Sequence, residues 1–155
     1  MWQRIQTVFL IVIVVCMVVG VFLPIGIFTD PATNATHELY PLHYSIKEKG
    51  QIVTAYFPYC ITAILMIAAA TLASMSITKF ENRMTQVKIG TLNSLILAGS
   101  ILSAYLFFRE FAAKFEAANL GLVIWVVFTA AFCNWLALRF IRRDEKLVRD
   151  SDRLR

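Results

Sequence analysis

Charged residues are scarce in this chain, and none lies in the middle of its four longest apolar runs. Of 155 residues, 16% are charged and 59% are hydrophobic, whereas a soluble globular domain has roughly 25% charged and 45–50% apolar residues. A chain of this length could not bury such an excess in a core of its own. The composition therefore excludes an ordinary soluble enzyme and a disordered tail, and it indicates a protein that uses the bilayer as its solvent.

The chain also lacks the residue patterns that carry catalysis or bind metals. Its three cysteines, Cys16, Cys60 and Cys133, lie in apolar runs and have neither disulfide nor metal-ligand spacing. No HExxH or GxSxG motif occurs. Membrane-embedded proton transfer would need ionisable residues within the spans, and none is found there. We therefore predict a non-enzymatic protein without cofactor or metal.

Four apolar runs approach the roughly 20 residues that a helix needs to cross a bilayer. They do not alternate apolar and polar residues, as the strands of a membrane barrel would. The sequence predicts an all-α fold, an integral membrane four-helix bundle, and it predicts that Pro58 kinks the second helix. The predicted spans cover about residues 8–28, 52–77, 89–108 and 120–140.

The distribution of Lys and Arg predicts the orientation of the bundle. With both termini in the cytoplasm, eleven basic residues lie inside and four outside, as the positive-inside rule requires. The formal net charge of +5 is then mainly a topology signal, which argues against nucleic acid as a partner. We predict a multi-pass membrane protein with both termini inside, in contact with membrane lipids.

The first outer segment, about residues 29–50, carries His37, Glu38 and His43. Two histidines and a carboxylate can bind zinc, but this spacing fits no helical metal motif. We interpret the segment as an ordinary polar loop.

The tail, residues 141–155, contains neither glycine nor proline, so the fourth helix can continue out of the membrane as an amphipathic helix. Leu147, Val148 and Leu154 share one face of that helix. Acidic residues are interspersed with the basic ones. Three interpretations remain open: a solvated helix, a docking element for a protein, and a helix lying on the lipid surface.

Three segments carry a resemblance to a known family. They are Gln3 to Gln6 before the first span, Asn82 and Arg83 with Gln86, Lys88, Leu92 and Asn93 entering the third span, and Ile141 to Arg149 with Asp152 to Arg155. They resemble a Bacteroidota family of small four-helix inner-membrane proteins, catalogued as domain of unknown function 4293. The resemblance implies a location in a bacterial inner (cytoplasmic) membrane. The family has no established activity. Since all three segments lie on the predicted cytoplasmic side, the resemblance implies that any shared role is located there.

The leading functional hypothesis is an accessory or assembly subunit that contacts other inner-membrane or cytoplasmic-face proteins. Its alternative is a small transporter or lipid-binding protein with a cavity lined by Tyr56, Tyr59, Asn93 and Asn134. The predicted partner-binding residues are Arg4, Arg83, Lys88, Arg143, Asp144, Lys146, Leu147, Val148, Arg149, Arg153 and Leu154.

Overall fold

A computed structural model describes residues 5–31, 33–48, 51–79, 82–115 and 118–153, the last seven of these by backbone only. It contains four long helices: α1 (Ile5–Val21), α2 (Cys60–Thr78), α3 (Arg83–Lys114) and α4 (Val123–Arg153). Each helix packs on two neighbours, in the cyclic order α1, α2, α3, α4. The predicted four-helix bundle is confirmed.

Three of the helices, α2, α3 and α4, are long and apolar enough to cross a membrane. The described part of α1 has 17 residues, or about 26 Å at 1.5 Å per residue, slightly less than a hydrocarbon core of roughly 30 Å. Large apolar side chains such as Phe22, Leu95 and Trp125 remain exposed on the bundle surface. These features are compatible with an integral membrane protein.

The prediction of an all-α fold is wrong, because the described residues also form a five-stranded antiparallel sheet. Its spatial order is β4-β3-β2-β1-β5. The strands are β1 (Gly26–Thr29), β2 (Thr36–Leu39), β3 (Tyr44–Glu48), β4 (Gln51–Ala55) and β5 (Asn119–Leu120). The interpretation of residues 29–50 as a polar loop is therefore wrong as well.

Three predicted span boundaries are wrong because the predicted spans include residues that belong to the sheet. Residues 26–28 belong to β1, residues 52–55 to β4 and residue 120 to β5. These strands are apolar and adjoin apolar helices, so hydropathy merges strand and helix into one run. Pro58 does not kink a helix, because it lies before the first residue of α2, Cys60.

The sheet packs on the end of α3 that extends beyond the bundle. The 32 residues of α3 measure about 48 Å, so its last turns extend beyond a hydrocarbon core of roughly 30 Å. The Phe28 ring stacks on Phe115, with ring centroids 4.6 Å apart. A side chain on Gly26 would contact Phe108 and Phe111. An aromatic core therefore joins the sheet to the helices, and we call this region the outer end.

Strand β5 ties the second half of the chain to the first. The backbone N–H of Gly121 donates to the carbonyl of Ile25 at 2.7 Å. A β-carbon on Gly121 would overlap the carbonyl group of Pro24, so only glycine allows this close approach. The start of α4 is thereby held next to the end of α1.

Candidate docking surface at the inner end of the bundle

The opposite end of the bundle contains the start of α1, the connection from α2 to α3, and the C-terminal half of α4. We call it the inner end. Asn82 caps α3 here, since its side-chain oxygen accepts a hydrogen bond from the Thr85 N–H at 3.1 Å. Helix α4 has 31 residues, about 46 Å in length. It therefore extends well beyond the 20 or so residues that a bilayer covers.

Arg83 connects α3 to the extended part of α4. Its Nη1 donates to the backbone carbonyl of Asp144 at 2.7 Å, and its side chain is partly buried. A charge-assisted hydrogen bond of this kind is stronger than one between neutral groups. The base of the C-terminal segment is thus attached to the neighbouring helix.

The other described members of the predicted docking set lie on the surface of the inner end. Lys88, Arg143 and Lys146 are exposed, and Asp144 is partly exposed. No described acidic side chain forms an ion pair with any of these cations. In the described part of the chain the ion pair lies at the outer end, between Lys47 and Glu38 at 2.7 Å.

The side chains of the remaining predicted docking residues lie outside the described part of the structure. Arg4 and Leu154 lie outside the described residues. Four more belong to α4 by backbone, while their side chains lie outside the description: Leu147, Val148, Arg149 and Arg153. The proposed apolar face of the tail helix stays a prediction.

A groove between α3 and α4 opens on the same end of the bundle. Its volume is about 410 Å³, and it is lined by Thr91, Ser94, Trp135, Leu138, Arg139 and Arg142. The Arg139 guanidinium carbon lies 5.5 Å from the Trp135 ring centroid, within cation–π range. From the sequence, Arg139 and Arg142 were predicted to contribute only to membrane topology. The four-residue spacing of Trp135 and Arg139, which places them on one face of a helix, is the signal that could have indicated this contact.

Buried amides link α3 and α4 just beneath this groove. Asn93 donates to the Asn134 side-chain oxygen at 3.3 Å. Asn134 in turn donates to the Gly90 carbonyl at 3.0 Å and to the Ser94 hydroxyl at 2.8 Å. Both asparagines are about 1% exposed. An interhelical hydrogen bond therefore joins the two buried amides.

A family model described as Domain of unknown function (DUF4293) matches residues 2–154. The chain belongs to this family. The match confirms the resemblance inferred from the three inner-side segments, and it covers the sheet as well as the bundle. A comparison with curated proteins gives no match.

The bundle does not bring together the four residues that the alternative hypothesis places around one cavity. Tyr56 is exposed at the outer end. Tyr59 packs against Phe107, with ring centroids 5.3 Å apart, beside a cavity of only about 40 Å³. The two asparagines bond to each other on α3 and α4. The tyrosines and the asparagines therefore occupy different parts of the molecule.

The two histidines of the DUF4293 sheet have separate surroundings. His37 Nδ1 lies 2.7 Å from the Tyr44 hydroxyl, and its ring contacts Phe115. His43 instead stacks on Tyr40. Within the described ranges, no group of three or more His, Cys, Asp or Glu side chains is placed to hold a metal ion.

One polar cluster on the sheet raises the pKa values of Tyr40 and Lys47. Glu38 Oε2 accepts hydrogen bonds from Lys47 Nζ at 2.7 Å and from the Tyr40 hydroxyl at 3.0 Å. Burial, and then the hydrogen bond to Glu38, raise the pKa of Tyr40. The hydrogen bond to Glu38 also raises the pKa of Lys47. The charges of this cluster are satisfied within the sheet.

Proposed function

We propose that this protein is a non-enzymatic accessory or assembly subunit of a larger bacterial inner-membrane complex. It docks through the inner end of the bundle and the C-terminal part of α4. The observation that carries the proposal is the continuity of α4 from Val123 to Arg153, since a helix of this length presents a segment outside the membrane.

The attachment of this segment supports docking over a purely solvated tail. A helix that continues from a membrane span and is fixed by Arg83 to α3 has a restricted orientation before any partner arrives. Such preorganisation lowers the ordering cost of association. A stop-transfer charge cluster would need no such attachment.

The charges of the inner end indicate the chemistry of the partner. Lys88, Arg143 and Lys146 are exposed and have no described acidic partner. An acidic surface on a cytoplasmic-face protein would complement them, and charge complementarity of this kind favours orientation and rapid association. We propose Arg4, Arg149, Arg153 and the apolar residues Leu147, Val148 and Leu154 as further members of the contact surface.

The proposal requires both termini to face the cytoplasm. The excess of Lys and Arg in the segments at the inner end supports this orientation through the positive-inside rule. The sheet would then lie on the opposite side of the membrane.

Affinity purification in mild detergent tests the proposal, with a tag at the N-terminus and the tail left free. We expect recovery in a stoichiometric complex, identified by mass spectrometry and sizing, and loss of the complex on deletion of residues 144–155. The charge reversal R143E/K146E should weaken the association, whereas R109E/K114E should not, because Arg109 and Lys114 are exposed at the outer end of α3.

Two results would contradict the proposal. One is recovery of the full chain as a lone 17.6 kDa protein or a small homo-oligomer. The other is a complex that survives the deletion while the truncated bundle keeps its thermal stability. The first result would favour the alternative, a small transporter or lipid-binding protein. The second would show that the complex does not depend on the C-terminal part of α4.

A further inference from the structure

We propose that the groove between α3 and α4 binds the headgroup phosphate of an anionic phospholipid, held by Arg139 and Arg142. This inference concerns a ligand of the bundle itself and does not depend on a protein partner. The groove, of about 410 Å³, lies within the usual size range of small-molecule sites.

The first step of the inference is the orientation of Arg139. Its guanidinium carbon lies over the Trp135 ring, 5.5 Å from the centroid, within the range of a cation–π contact. This contact involves the positive charge and needs no oxygen or nitrogen acceptor, so the N–H groups remain available to donate. Trp135 therefore positions Arg139 without using its hydrogen bonds.

The second step is the charge that this groove leaves uncompensated. Arg139 and Arg142 are three residues apart on α4, so they are neighbours on one face of the helix. Both are exposed, and no described acidic side chain lies within ion-pair distance of either. Glu145, one turn further along, makes no ion pair with Arg142 in the described part of the chain. Two neighbouring guanidinium groups repel each other until an anion lies between them.

The third step concerns the two hydroxyl groups of the groove, which already donate to backbone carbonyls. The Thr91 hydroxyl donates to the Val87 carbonyl at 2.8 Å, and the Ser94 hydroxyl donates to the Gly90 carbonyl at 3.1 Å. Leu138 packs closely against Gly90 and supplies an apolar floor. The two guanidinium groups are therefore the charged donors of the groove, and their geometry suits a phosphate.

The surroundings of the groove favour a lipid over a soluble phosphate. Trp135, Phe132 and Leu95 are each more than half exposed on the same part of α3 and α4. They extend from the arginines toward the middle of the bundle, where acyl chains would cover them. Trp at this depth is typical of the membrane interface, and basic pockets between helices at the cytoplasmic side bind anionic headgroups.

Native mass spectrometry of the full chain in detergent tests this site, with phosphatidylglycerol and phosphatidylcholine as the added lipids. Each Arg near the surface contributes about fivefold to anionic-lipid affinity. We therefore expect a preference for phosphatidylglycerol of roughly 25-fold, which R139Q/R142Q reduces to near unity. The control R109Q/K114Q loses the same net charge at the outer end and should keep the preference, because a micelle gives lipid access to both ends.

A second readout follows the lipid chain directly. In the variant W2F/W125F, Trp135 is the remaining tryptophan. Phosphatidylglycerol with brominated acyl chains should quench its fluorescence at lower concentrations than brominated phosphatidylcholine, and adding R139Q/R142Q should remove the difference. Melting curves of each variant show that the bundle is folded.

Three outcomes would overturn the proposal. An equal loss of preference in R139Q/R142Q and R109Q/K114Q would show a nonspecific response to net charge. An unchanged preference in folded R139Q/R142Q would place the lipid elsewhere. Displacement of the lipid by glycerol phosphate at comparable concentrations would show a site for soluble phosphate.

Discussion

The polar groups at the two ends of the bundle differ in whether they have partners within the protein. At the outer end, Glu38 binds Lys47 and Tyr40 within the sheet, and His37 lies among aromatic rings. At the inner end, buried amides link the helices, while exposed cations have no described acidic partner. The outer end therefore uses its polar groups to stabilise its own fold, and the inner end leaves charge available for a ligand or a partner.

The largest expected effect comes from the joint between the sheet and the bundle. Gly121→Ala would place a β-carbon against the Pro24 carbonyl group, which is backbone and cannot rotate away. We expect a loss of about 3 kcal/mol in the free energy of unfolding, as for severe overpacking, or failure to fold. Unfolding in detergent, followed by intrinsic fluorescence, measures the loss.

Gly99→Ala is the matched control, because a β-carbon there meets only Leu65 at an ordinary 3.8 Å. It should be neutral or stabilise α3 by roughly 0.5–1 kcal/mol. Equal stability of the two variants would show that the joint is not tightly packed.

A smaller effect is expected from the buried amides of the inner end. Asn134→Ala removes hydrogen bonds to Asn93, Gly90 and Ser94. Interhelical hydrogen bonds in membranes contribute about 0.6 kcal/mol each, so we expect a loss of 1–2 kcal/mol in the free energy of unfolding. Thr129→Ala is the control, since the exposed Thr129 bonds only within α4. A double-mutant cycle with Asn93→Ala should show coupling, and additive losses would mean that the two amides do not interact.

The smallest expected effect is the change in stability with pH that arises from the outer end. The pKa of Tyr40 is raised above its ordinary value of 10.0, so the unfolded chain loses this proton first as pH rises. The stabilisation by protonated Tyr40 is therefore complete below pH 10 and is lost as pH rises through the higher pKa of the folded state. Lys47, with its pKa raised from 10.5, acts in the same direction.

Melting temperatures between pH 8.5 and 11 measure this dependence. Tyr40→Phe should make the decline shallower, and the exposed Tyr105→Phe on α3 should leave it unchanged. A steeper decline in Tyr40→Phe than in the native chain would contradict the assignment.

The sequence predicted the helices much better than it predicted the sheet. Helical spans follow from the length of apolar runs alone, and α2 and α3 contain the predicted second and third spans from Cys60 and Ile89 onward. Strands β1 and β4 are short and apolar, so hydropathy could not separate them from the helices that adjoin them. Their pairing depends on residues far apart in the chain, such as Gly26 with Leu120, which no local pattern shows.

The candidate surfaces, like the fold, were only partly predictable from the sequence. The basic segments of the inner end are visible in the sequence, whereas the direct hydrogen bond between Asn93 and Asn134 was not predicted. The bond from Arg83 to the Asp144 carbonyl joins a side chain to a backbone oxygen 61 residues away, and backbone acceptors leave no trace in a sequence.

The position of β5 also has a consequence for biosynthesis. Strands β1 to β4 lie between α1 and α2, whereas β5 lies between α3 and α4 and pairs with β1 at the sheet edge. A ribosome releases the first four strands long before it has made residues 119 and 120. During synthesis, the nascent chain therefore exposes an open β1 edge outside the bundle until β5 arrives, and a chaperone acting on this protein would have that interval in which to bind.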